Sequence, residues 1–147
     1  MHNPPHLRPH LIAVVIVGGM VGVAAREGLI LLFPWSDVPW VVGAINVGGA
    51  FILGLLLDLL PRFGPDTGGR RALRLFAGTG VLGGFTTYSA LATDTASLTS
   101  DGLPIAALGY ALGSVILGVL AAAAGMRAAA TVRVTPRVEL TGQGDGR

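Results

Sequence analysis

The chain has 147 residues, 52% hydrophobic and 12% charged, with 23 glycines, no cysteine and a formal net charge of +2. With a mean hydropathy of +0.69, this composition excludes a disordered chain, a disulfide scaffold and thiolate metal sites, and it places an integral membrane protein ahead of a water-soluble domain. The basic balance does not read as a nucleic-acid surface, because no arginine patch carries interleaved aromatics and the arginines flank apolar stretches.

The first apolar stretch, Leu11 to Phe33, is long enough to span a bilayer and is interrupted only by Arg26 and Glu27. These charges lie toward its outer end, and adjacent helix positions diverge, so the two need not pair. Val23-Ala24-Ala25 could pass for a signal-peptidase site, but no strong basic leader precedes it and apolar residues resume after it, so cleavage is not expected. The second stretch, Val38 to Leu60, has Asn46 as its one polar residue before Asp58, and Pro61 with Arg62 closes it. Gly64 to Gly69 form a polar turn.

The third stretch, Leu73 to Leu98, carries Gly83-Gly84 near its middle, followed by Thr86, Thr87, Tyr88 and Ser89. One uniform helix is not expected there. The fourth, Leu103 to Ala124, is relieved in its apolarity only by Tyr110 and Ser114. The expected fold is an all-α membrane protein of four transmembrane helices with the third broken in mid-membrane. Residues 1–10 form an N-terminal tail, 11–126 the membrane domain, and 127–147 a disordered cytoplasmic tail.

Small residues four apart recur in every stretch, at Gly18 and Gly22, Ala44 and Gly48, Gly80 and Gly84, and Gly109 and Gly113. Each pair lets helix backbones approach closely. Nine of the ten basic residues fall on one side of the resulting topology: Arg8, Arg62, Arg70, Arg71, Arg74, Arg127, Arg133, Arg137 and Arg147. The opposite loops hold aspartate and no basic residue, so both termini are expected in the cytoplasm of a multi-pass protein of the inner or plasma membrane.

Polar groups at membrane depth cost several kcal/mol unless satisfied, which makes them functional candidates. Asn46 must meet another helix, water or a ligand. At Gly83-Gly84-Phe85-Thr86-Thr87 a helix break bares carbonyls that turn to a cation or a cavity, or else a kink is rescued by the threonine hydroxyls. Tyr88 and Ser89 sit just past the break, and Tyr110 and Ser114 share one face of the fourth stretch. Their hydroxyls can line a path or simply hydrogen-bond within the bundle. Asp94 is expected to face a vestibule rather than lipid. His2, His6 and His10 are four apart, but the prolines at 4, 5 and 9 prevent the helix that would align them on a metal.

The segments GGMVGVAARE, INVGGAFILG and GTGVLGGFTTYSALATD together resemble the CrcB/Fluc family of fluoride channels, over all four stretches. The resemblance implies an antiparallel dimer with two fluoride pores and a structural sodium ion at the interface, held by the backbone carbonyls of Gly83 and Thr86 from each subunit. It implies that Asn46 donates to fluoride, that Tyr110 and Ser114 belong to a hydroxyl track, and that Arg26 lies near the pore mouth. Where the family reads TTFSTF, this chain reads Thr86-Thr87-Tyr88-Ser89-Ala90-Leu91. Tyr88 keeps a ring edge, whereas Leu91 supplies none.

Three functions follow. One is a passive channel exporting fluoride, in which amide and hydroxyl donors replace the shell of a strongly hydrated ion. Another is a proton-coupled exporter of small-multidrug-resistance type, which needs a carboxylate deep in the first helix, whereas Glu27 lies near its end. The last is a partner subunit without a pore of its own, since the arginine bias favours one insertion orientation and an antiparallel pair then needs a paralogous chain of opposite topology, in place of a homodimer. No nucleophile, base and orienter cluster can be assembled, so no enzyme is expected.

Overall fold

The computed structural model describes residues 9–33 and 39–132. His2, His6, residues 34–38 and residues 133–147 lie outside them, and with them most of both tails. The described chain is mainly helical, without a strand among the described residues. Helix α1 runs Pro9–Leu32 and α2 runs Trp40–Leu59, with 24 and 20 residues respectively. At 1.5 Å per residue these are about 36 and 30 Å long. The last helix, Pro104–Ala130, has 27 residues. Together with the turn that extends α2, these are three helices long and apolar enough to cross a membrane. Their outward side chains are apolar: Leu31 is 79% and Ile105 87% exposed, the arrangement expected of a surface that meets lipid.

Between α2 and that last helix the chain changes character. Pro61 closes α2 into a 3₁₀ turn, Leu60–Phe63, and Gly64 reverses the backbone at φ +127°, a conformation that a side chain would strain. Helix α3, Gly68–Arg74, leads into a π-helical run, Leu75–Leu82, then a single helical turn, α4, Gly83–Phe85. Thr86 and Thr87 are extended, and α5 resumes at Tyr88–Ser100. The final helix, Pro104–Ala130, is α6. It runs four residues past the expected end of the membrane domain, because Arg127-Ala128-Ala129-Ala130 are strong helix formers.

The interruption has local causes. Two glycines weaken the helix, and both threonines offer the backbone other bonds. Thr86 Oγ1 donates to the Leu82 carbonyl at 2.8 Å, while Thr87 Oγ1 caps α5 by accepting the Ala90 N–H at 3.2 Å. The π-helical run before it went unread in the sequence, since hydrophobic periodicity does not separate i→i+5 from i→i+4 bonding over eight residues.

Two parallel seams hold the bundle. In one, α1 lies along the 75–85 segment: a Cβ on Gly18 would stand 2.5 Å from the Phe76 carbonyl oxygen, and one on Gly22 would strike the Val81 carbonyl. In the other, α2 lies along α6, where side chains on Gly54 and Gly125 would strike the carbonyls of Ala122 and Phe51. Gly18, Gly22, Gly80 and Gly84 thus pack backbone on backbone as their spacing suggested. Gly48, Gly109 and Gly113 do not, because nothing lies within 4 Å of a Cβ on them. Gly109 and Gly113 border an open groove between α2 and α6, and the close approach of these helices is made instead at Gly54 and Gly125. Helix α5 packs antiparallel on α6 through Leu91, Leu98, Ala107 and Tyr110.

Candidate functional site

The two extended threonines bring the polar residues of three helices together. Asn46, on α2, faces the interruption. Its Oδ1 accepts the Thr87 N–H at 2.8 Å and its Nδ2 donates to the Thr87 carbonyl at 3.0 Å. A side-chain amide thereby replaces the helical acceptor that the Thr87 N–H lost at the interruption. Gly49, one turn along α2, leaves room for the Thr86 methyl group. Nδ2 carries two hydrogens and spends one on Thr87, so among the described residues a second N–H is left without an acceptor.

Thr87 Oγ1 also lies 3.0 Å from Ser89 Oγ. Thr87 is buried, whereas Ser89 is exposed and Tyr88 is 82% exposed. The Tyr88 ring therefore stands off the chain's own surface. Leu91 instead turns inward, 8% exposed in the cluster with Leu98, Ala107 and Tyr110.

Tyr110 and Ser114 line one groove of about 620 Å³ between α2 and α6, walled otherwise by apolar groups and glycines such as Trp40, Val47 and Gly109. The two hydroxyls are not equivalent. Ser114 Oγ stands 3.9 Å from where a Gly43 side chain would begin, and no hydrogen bond engages it among the described residues. The Tyr110 hydroxyl is committed: it lies 3.2 Å from Asp94 Oδ2 and 3.4 Å from the Pro39 carbonyl. Asp94 does not face a vestibule as expected; it is 7% exposed, drawn inward against Tyr110 because a carboxylate at that depth needs a donor. The sequence carries one signal for this pairing, an acid and a tyrosine on adjacent apolar stretches.

For Arg26 and Glu27 the sequence left pairing open. They pair, with Arg26 Nη2 at 3.1 Å and Nε at 3.2 Å from Glu27 Oε1. Long side chains reach across adjacent positions where their Cβ vectors diverge, and Arg26, the less exposed of the two, gains a counter-ion. The pair stands on the last two turns of α1.

The described residues contain no group of three or more histidine and carboxylate side chains able to hold a metal. Backbone oxygens are a different matter. Leu82 O is taken by Thr86, and Thr87 O by Asn46. The described hydrogen bonds leave the Gly83 and Thr86 carbonyls without a donor. Oxygen ligands of this kind suit a hard cation, and Gly83 is exposed on the surface of the chain.

A family model described as CrcB-like protein, Camphor Resistance (CrcB), matches residues 13–126. The chain is 47% identical to a protein of Leifsonia xyli subsp. xyli named Fluoride-specific ion channel FluC 2, over 88% of this chain and 90% of that one. It is 45% identical to Fluoride-specific ion channel FluC 1 of Cutibacterium acnes, over 78% and 82% of the two chains. With Fluoride-specific ion channel FluC of Mesorhizobium japonicum the identity is 42%, over 74% and 86%.

Proposed function

The chain belongs to the CrcB-like family, a family of channels rather than enzymes, and from that premise we propose that it is a subunit of a passive, fluoride-selective channel. The observation that carries the reading is the fixed carboxamide of Asn46. Two bonds to Thr87 hold it rigid, so its remaining N–H is a donor already oriented for an anion. Fluoride sheds its water only where such donors replace it, and Ser114 Oγ offers a second in the α2–α6 groove. The Tyr88 ring, standing off the surface, presents electropositive edges to a path completed by another subunit. Carried down its gradient from the cytoplasm, fluoride leaves the cell and its toxicity falls.

The bundle geometry supports four crossings with a mid-membrane break. Helices α2 and α6 run parallel, so the 68–100 segment between them has to return along the whole bundle. The Gly83 and Thr86 carbonyls of two antiparallel copies are suited to hold a structural sodium ion, whose charge would favour an anion nearby.

One observation favours a second reading, that of a subunit paired with a paralogue. Of the six arginines among the described residues, five (Arg62, Arg70, Arg71, Arg74 and Arg127) lie at the end of the bundle where α2 and α6 finish, and Arg26 alone lies toward the other. Such a bias favours one insertion orientation, with both termini in the cytoplasm, and an antiparallel dimer then needs a second chain of opposite bias. Fluoride efflux from liposomes holding this chain alone tests both readings. Electrogenic fluoride efflux without chloride efflux is the expected result for a homodimer. Efflux that appears only with a co-inserted paralogue assigns the heterodimer, and no efflux in either case removes the channel reading.

A further inference from the structure

We infer that the groove between the start of α1 and the α3 end of the third segment binds one anionic phospholipid, with its phosphodiester on Arg71 and its acyl chain along α1. The groove has a volume of about 430 Å³, and its wall changes abruptly from apolar to charged. Leu11, Ile12, Val15 and Ile16 form a stripe on α1, of which Ile12 is 46% and Ile16 57% exposed. At its head stand Arg71, Arg74 and Asp66.

The charges there do not balance. Asp66 Oδ2 lies 2.8 Å from Arg74 Nη2 and 3.6 Å from Arg71 Nε, so one carboxylate serves two guanidinium groups. Arg74 takes both of the short bonds to it, at 3.1 and 2.8 Å. Arg70 is spent on the carbonyls of Pro65 and Phe63, and Arg62 on Asp58. Arg71 alone in this cluster makes no hydrogen bond among the described residues, and its planar fork is the group that takes a phosphodiester in two bonds. A zwitterionic headgroup brings no net charge to complement the surplus. A free phosphate leaves the α1 stripe unused. The combination of a spare guanidinium and an adjoining apolar channel at the arginine-rich end fits a lipid with a net negative headgroup.

The site is independent of ion conduction, and binding is its own readout. The full chain in detergent is mixed with equal amounts of dioleoyl phosphatidylglycerol and dioleoyl phosphatidylcholine, and retained lipid is read by native mass spectrometry. The expected result is a preference of about fivefold for phosphatidylglycerol, the factor that one interfacial arginine supplies. Arg71→Gln removes the preference, while Arg127→Gln, at the same end but outside the groove, keeps it. Ile16→Trp fills the groove without changing charge and lowers retention of both lipids, which guards against misfolding of the arginine variant. Equal retention of the two lipids by the unmodified chain overturns the proposal. So does an equal effect of the two arginine variants, or complete displacement of the lipid by millimolar inorganic phosphate.

Discussion

The carboxamide of Asn46 and the peptide groups of Thr87 form a closed pair, 2.8 Å on one side and 3.0 Å on the other. The interruption between α4 and α5 is therefore a pinned joint. It is held by a residue from a different helix, 41 positions away in the chain.

Replacing Asn46 with alanine leaves the Thr87 N–H unpaired, while the Thr87 carbonyl, at the N-cap of α5, keeps its first intrahelical bond. The expected cost is about 1–3 kcal/mol, the penalty of one orphaned buried donor. Thermal unfolding in detergent reads it as a lowered Tm, and an unchanged Tm would show that the joint stands without the amide. Asn46→Asp keeps the acceptor for Thr87 N–H, loses both amide donors and places a negative charge beside the proposed anion path. Fluoride flux in liposomes should fall more than tenfold, corresponding to about 1.4 kcal/mol or more of added barrier. Unchanged flux would remove Asn46 from the path.

Tyr110→Phe deletes the one side-chain donor to Asp94 among the described residues and keeps the ring. A carboxylate 7% exposed is then left short of a partner, at an expected cost of about 1–3 kcal/mol. Asp94→Asn, which retains an acceptor for the Tyr110 hydroxyl, should cost less. A double-mutant cycle on unfolding midpoints isolates the coupling; additive single effects would mean that the 3.2 Å contact contributes nothing to stability.

The glycines separate into two classes. Gly54→Ala and Gly125→Ala drive a methyl group into the carbonyls of Ala122 and Phe51, and because both obstacles are backbone the α2–α6 seam must open. Yield of folded protein should collapse. Gly109→Ala and Gly113→Ala meet nothing within 4 Å inside the chain and should leave its unfolding midpoint within about 0.5 kcal/mol of the parent. Equal damage from both classes would contradict the seam.

Asp66 lies in the loop outside the apolar helices, and the hydrogen bond from Arg74, with the charges of Arg74 and Arg71, holds its carboxyl below its ordinary value of 3.8. A depressed folded-state pKa stabilises above the unfolded value and is lost as pH falls through the folded one. The unfolding midpoint of the parent should therefore drop toward that of Asp66→Asn below about pH 4, with the two separated at neutral pH. Parallel curves across the acid range would show that the pair does not bear on stability.

The apolar stretches, their lengths and the place of the interruption were legible along the chain. Hydropathy is a property of consecutive residues, and Gly-Gly-Phe-Thr-Thr weakens a helix wherever it occurs. So was the family, since the motifs that carry it are local strings. What could not be read was which polar group answers which. Asn46 had a helix, water or a ligand open to it, and only the approach of α2 to the interruption chose Thr87. Asp94 went to Tyr110 because α5 folds back antiparallel on α6, and Arg26 went to Glu27 because side-chain length outweighs the divergence of neighbouring positions. The same holds for the glycines: spacing four apart marks where backbones are able to meet, but the rotation of each helix decides which of them do. The sequence by itself determined the solvent this protein lives in, since burial of apolar surface needs no partner to be specified. Only the tertiary structure decided the site, because a hydrogen bond at membrane depth is made by whichever group arrives within 3 Å, and arrival is a property of the whole bundle.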